Sequence, residues 1–114
     1  MSWPHKIRVQ VIARSGGVCE GCGIRDAGDI HHRQYKSRGG KDTIQNALLL
    51  CGWGNNSNDG WCHGKAHNDP DAVISGWSVA SWDSPASKPV LYRGEWVFLL
   101  DHDPWIEPVG KVNF

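Results

Sequence analysis

VCEGCGIRDAGDIHHRQYKSRGGKDTIQNALLLCGWGNNSNDGWCHGKAH, residues 18–67, holds all four cysteines and four of the six histidines of this 114-residue chain. Cys19 and Cys22 stand two residues apart in a segment too Gly-rich for a helix or a strand, the form of a turn that presents two thiolates to one ion. Cys51 and Cys62 follow after a central stretch and complete four soft ligands for a closed tetrahedral zinc site. Buried free thiols or a redox dithiol are the competing readings, but Cys-Glu-Gly-Cys here lacks the preceding βαβ pattern of a redox motif. His31 and His32 are adjacent, and neighbours on a strand face opposite sides, so the two should do different jobs. His63 and His67 are four apart, which puts both imidazoles on one face of a helix. A single mixed module of two cysteines and two histidines, built from Cys19, Cys22, His63 and His67, is a further arrangement, and it would orphan Cys51 and Cys62.

Working outward, Trp3 to Ser15 spaces Ile7, Val11 and Ile12 as a short helix would, with Pro4 in the first turn and Gly16-Gly17 as a stop. Ile30 to Gln34 reads as a strand, Ser37 to Asp42 as a turn with basic flanks, Ala47 to Cys51 as a short buried strand, and Gly52 to Gly60 as an Asn/Gly loop. Trp61 to Asn68 reads as a helical turn, and Pro70 to Ser75 as a short helix capped from Asn68-Asp69 or as the continuation of that turn. Trp77 to Trp82, Val90 to Tyr92 and Glu95 to Leu100 are β-prone runs that predict a C-terminal hairpin or meander, with Trp77, Trp82 and Trp96 as its core. Trp53 and Trp61 flank the loop, where they could cover the zinc site or stack on a base. His5 has no assigned role, and His102, between Asp101 and Asp103, reads as a surface turn residue.

The length fits one domain, with a core over about 18–76 and a β extension over about 77–114. A chain this small buries a modest share of its surface, so a metal staple adds much to its stability. No apolar run is long enough to span a membrane, and Met1 to Arg14 has neither the apolar stretch nor the cleavage site of a signal peptide, so a cytoplasmic location is expected. Net charge is zero, yet residues 1–41 carry eight Lys/Arg against three acids, and the remainder reverses that excess. Arg33, Lys36, Arg38 and Lys41 surround the first strand and its turn, where they could grip phosphates without reading sequence; solubilising surface charge is the competing reading.

The order Cys19-x2-Cys22, I-H-H-R, Gly39-Gly40, N-A-L-L-L-C and C-H-G-K-A-H resembles the HNH endonucleases over about Val18 to His67. A weaker likeness to small free-standing HNH proteins of phages runs on through G-W-x-V, a proline and E-W-V-F-L-L. The resemblance implies an α+β fold: a ββα-metal core stapled by a four-cysteine zinc knuckle, with the N-terminal helix and the C-terminal β-hairpin or meander added. It implies His32 as the general base, His31 as a metal ligand, and Asn46 as the residue that holds the catalytic loop and orients the base, although Asn ligates metal in some relatives. His63 and His67 match the paired helical histidines of colicin-type DNases and are implied ligands. The second cysteine pair, usually Cys-x2-Cys, is here split by ten residues; a loop of that length closes at small extra entropy, so Cys62 stays a ligand. The inserted Asn-rich segment is either a solvated turn or a DNA contact.

The implied activity is metal-dependent hydrolysis of DNA, by nicking or by cutting both strands, with one catalytic Mg, Mn, Ni or Zn ion and one structural Zn. Phage members of this size often act beside the large terminase subunit, so terminase-assisted genome cleavage is an implied role. A homing-type or restriction-type nuclease is the alternative within the class, though no helix-turn-helix segment supplies specificity. Cutting both strands with one small site would favour a homodimer or a partner. From another class comes a catalytically inactive, zinc-stabilised nucleic-acid-binding module. The four residues His32, Asn46, His63 and His67 speak against it, because binding alone needs no such set.

Overall fold

The computed structural model of the chain describes residues 3–52 and 61–110. The expected Asn/Gly loop, apart from Gly52, lies outside them, and so do Trp53 and its suggested contacts.

Helix α1 (His5–Ser15) starts after Pro4 and ends at Gly16, which takes up a left-handed conformation and donates its N–H to Ile12 O at 2.8 Å. Strand β1 (Asp29–His32) pairs antiparallel with β2 (Ala47–Leu50), and His31 stands opposite Leu48 while His32 stands opposite Ala47. Residues directly opposite share a face of the sheet. β2 is buried throughout, and its alternation divides it between two cores. Ala47 and Leu49 pack with Trp3, Val11 and Ile44 on the α1 side. Leu48 and Leu50 pack with Cys19, Cys51, Cys62 and Ala66 on the other. His32 therefore faces α1, and His31 faces helix α2 (Trp61–Asn68). Strand, strand and helix thus follow in the expected order around the two histidines.

The sequence places the first strand over 30–34, but the ladder stops at His32. Past that point Asn46 takes over the pairing with its side chain, accepting Gln34 N–H at 2.6 Å and donating to Gln34 O at 3.1 Å. A single 3-10 turn at Lys36–Arg38 leads into Gly39-Gly40. A Cβ on Gly40 would sit 1.8 Å from Gln34 O, so the chain can close here only without a side chain.

Beyond α2, Asp69 accepts Asp71 N–H and caps a 3-10 turn at Pro70–Ala72, shorter than the helix expected to Ser75. Strands β3 (Val90–Tyr92), β4 (Glu95–Leu99) and β5 (Ile106–Pro108) form an antiparallel meander in that order. β5 is absent from the sequence reading, because a three-residue edge strand ending in proline carries little pattern.

Two C-terminal expectations are corrected. Trp77 to Trp82 is not a strand: its carbonyls bond to side chains, with Trp77 O at His31, Val79 O at Arg38 and Ala80 O at Gln34. Nor do Trp82 and Trp96 form the core of the meander, since they are 85% and 42% exposed. Val90, Tyr92, Val97 and Leu99 fill that core, with Trp77 packed against it. Among the described residues no helix is long and apolar enough to cross a membrane.

Candidate metal and catalytic sites

The cysteine turn is built from backbone. Val18 bridges to Asp26, Cys19 N–H donates to Arg25 O, and Gly23 N–H donates to Cys19 O, a tight reversal with Cys19 and Cys22 on its inner side. Gly21, Cys22 and Cys51 all direct their N–H groups at Cys19 Sγ, at 3.3–3.4 Å. Such donors favour a thiolate, and the Cys19 thiol is drawn down to about 4, first by the hydrogen bond from Cys62. Cys62 itself is pushed up by giving that bond and by burial. Cys51, at the end of β2, and Cys62, in the first turn of α2, bring the remaining sulfurs, and one ligand atom from each of the four lies within 4.8 Å of the others. Three of the four residues are buried, and all are free thiols. Four convergent thiol(ate)s in a tetrahedral-sized cluster fit a zinc ion.

A second cluster lies on the other side of Cys62. His31 from β1 and His63 and His67 from α2 bring their ligand nitrogens within 4.8 Å of one another, with ring centroids 5.0–5.1 Å apart. The two clusters separate the thiols from these imidazoles, so a mixed module of two thiols and two imidazoles is not what the fold assembles. His31 is buried, and its Nε2 lies 2.7 Å from Trp77 O. A carbonyl can only accept, so Nε2 carries the proton and Nδ1 keeps its lone pair. Burial pushes the His31 imidazole down to about 3, and burial lowers His63 and His67 as well. All three rings are thereby kept neutral, the state a ligand needs. His63 Nδ1 is buried without a hydrogen bond among the described residues, and Asp29 Oδ2 lies 3.5 Å from it. A neutral, convergent, partly orphaned set of three nitrogens fits a divalent ion with open positions. Tyr35 stacks on His67 and donates its hydroxyl to Ala66 O, which braces the helix end of the cluster.

His32 opens into the same groove, about 310 Å³ in volume, together with Trp3, Lys36 and the three histidines. Its ring stacks on Trp3 at 3.8 Å, and its Nε2 is 2.8 Å from Asp42 Oδ1. That bond holds the Asp42 carboxyl below its usual range. Asn46 is buried and binds Gln34 and Lys41 O, so its side chain pins the loop between them and is turned away from the groove.

The four basic residues part company. Lys36, Arg38 and Lys41 are exposed along the turn. Lys36 approaches Asp42 at 3.5 Å, and Arg38 lies over the Tyr35 ring and reaches Ser78 and Val79 O. Arg33 is fully buried and donates to the carbonyls of Gln45, Gly76, Pro85 and Lys88, so the phosphate-gripping role read for it is withdrawn. Burial also pulls its guanidinium down to about 9. Sequence reasoning missed Trp3, Asp29, Tyr35 and Asp42. Only Asp42, an acid inside a basic turn, left any signal. Trp61 is 47% exposed and carries the Arg25 guanidinium 4.4 Å above its ring. His102 is exposed and bonds its neighbour Asp101.

Two strands and a helix thus gather three imidazoles, with His32 held in the same groove. Residues 19–58 match the model of the HNH endonuclease family. The match ends before His63 and His67, which join the site through geometry alone. No curated protein and no solved structure matches the chain.

Proposed function

We propose that this protein is a metal-dependent endonuclease that hydrolyses phosphodiester bonds in DNA, its ββα core and C-terminal meander acting as one domain. The observation that carries the reading is the convergence of His31, His63 and His67 in the groove into which His32 also opens. His32 accepts a proton from water through the ring nitrogen that Asp42 leaves free. The water oxygen forms a new bond to phosphorus as the bond from phosphorus to a sugar oxygen breaks, and that oxygen leaves with the electron pair and takes up a proton. An ion held by His31, His63 and His67 (Mg, Mn, Ni or Zn) would supply Lewis acidity to the phosphate and the leaving oxygen. Asn46 keeps the loop that carries Asp42 in place, and Lys36, Arg38 and Lys41 supply positive charge along the approach of the strand. Zinc at Cys19, Cys22, Cys51 and Cys62 fastens the N-terminal turn to β2 and α2 and takes no part in the chemistry.

Nicking and cutting of both strands are both open to one such site. Partnership with a terminase rests on the resemblance alone, and a homodimer on the need to cut twice. The test is relaxation of supercoiled plasmid with Mg, Mn or Ni, or with chelator, by wild type and by His32→Ala. The reading expects ion-dependent relaxation that falls roughly 10²–10⁴-fold in the variant. Retained DNA binding with no cleavage under any ion would give the protein to the class of zinc-stabilised binding modules.

A further inference from the structure

We propose that Asp42 and Trp3 are positioning residues that lock His32 in one tautomer and one ring orientation, with Nε2 protonated and Nδ1 left as the only basic atom. The proposal rests on the endonuclease reading for its consequence, but its structural content stands apart from it. A histidine ring on a strand is poorly fixed by its own torsions, because rotation about χ2 is broad and roughly two-fold, so either nitrogen could face the groove. Two contacts remove that freedom here. A carboxylate can only accept, so the 2.8 Å approach of Asp42 Oδ1 requires the proton on Nε2. The Trp3 indole lies nearly parallel to the ring, with 16° between the planes and 3.8 Å between centroids, which leaves rotation out of that plane no room.

Both restraints are themselves held. Trp3 is 7% exposed, packs with Val11, Ile44 and Leu49, and donates Nε1–H to Ile30 O at 2.9 Å, on the strand that carries His32. Asp42 follows Lys41, whose carbonyl is bound by Asn46 Nδ2 at 2.9 Å, and Gly40, whose N–H donates to Tyr35 O. The strand alternation supplies the third element. It turns His32 toward α1 and Trp3 while His31 turns toward α2, so the clamp and the metal cluster act on adjacent residues. A solvated ion pair of the kind found on most surfaces would need neither the stacked indole nor the anchored loop.

The test uses the full-length, zinc-loaded chain with ¹⁵N-labelled histidine and a diamagnetic ion at the second site. Two-bond ¹H–¹⁵N correlations report the His32 tautomer, its signals assigned by their loss in His32→Ala. Wild type is expected to show the Nε2–H form, and Asp42→Ala a mixture of the two forms. Plasmid relaxation by Asp42→Ala is expected to fall roughly 10- to 100-fold in kcat, with KM within about twofold, the usual cost of removing an orienting partner. Trp3→Leu should broaden or split the His32 signals in the same spectrum. An Nδ1–H form in wild type, or an unchanged His32 spectrum in Asp42→Ala, would overturn the clamp. Because the spectrum needs no turnover, a wild type that cuts nothing would sink the endonuclease reading while the tautomer still decided this one.

Discussion

Arg33 and Asp42 exchange the roles that their sequence neighbourhood suggests. Arg33 stands in a basic stretch beside the paired histidines, yet the ladder ends one residue before it, and its side chain turns inward to satisfy four carbonyls from segments 12 to 55 residues away. No carboxylate meets it among those bonds, so the guanidinium is held by carbonyl dipoles alone. Arg33→Ala would leave those carbonyls without their donor and should cost about 1–3 kcal/mol for each that finds no other partner. Thermal or urea unfolding checks this. Wild-type stability together with weakened DNA binding would restore the phosphate-contact reading. Asp42, by contrast, reads in the sequence as one acid in a turn, and only the returning loop brings it to His32. The chemistry-bearing histidines and cysteines were legible because their types and spacings are chemical statements. Their supporting partners were not, because Trp3, Asp42 and the Trp77 carbonyl reach the site through tertiary contacts that no local pattern encodes.

The elements that matter most are β2 and the first turn of α2. Ala-Leu-Leu-Leu is legible as a buried strand, but that its alternate residues serve two different cores follows only from what packs on each side. Trp77 to Trp82 shows the opposite failure: its residues favour strands, while its carbonyls are recruited by Arg38, Gln34 and His31 before any ladder can claim them. At α2, Cys62 and His63 are adjacent and belong to different clusters. Cys62→Ser should therefore release the structural zinc and destabilise the fold by several kcal/mol, on the way to the order of 10 kcal/mol that a structural zinc contributes. His67→Ala should leave that zinc bound. Zinc retention after gel filtration, set beside urea unfolding, distinguishes the two. Loss of the thiol-bound zinc in His67→Ala would show the clusters to be one.

Across the whole molecule, arginine side chains join segments that the sequence reading kept apart. Arg14 pairs with Glu20 inside the protein, with side chains 1% and 0% exposed, and also binds Ile44 O and Ala47 O, tying α1 to the cysteine turn and to β2. Arg93, in the turn between β3 and β4, reaches Ser15 O, Val18 O and Cys19 O and so attaches the meander to the same turn. The basic excess of residues 1–41 is thus partly internal, since Arg14 and Arg33 serve the fold, and the exposed charge near the groove falls to Lys36, Arg38 and Lys41. His31, His63, His67 and His32, on which the nuclease reading turns, all open into that groove. The most direct measurement is supercoiled-plasmid relaxation by the zinc-loaded chain, stripped of loosely held ions, before and after addition of Mn, with His67→Ala alongside. The account predicts no relaxation before the ion, relaxation after it, and loss of that gain in His67→Ala while the thiol zinc stays in place. Relaxation by His67→Ala at the wild-type rate would contradict it.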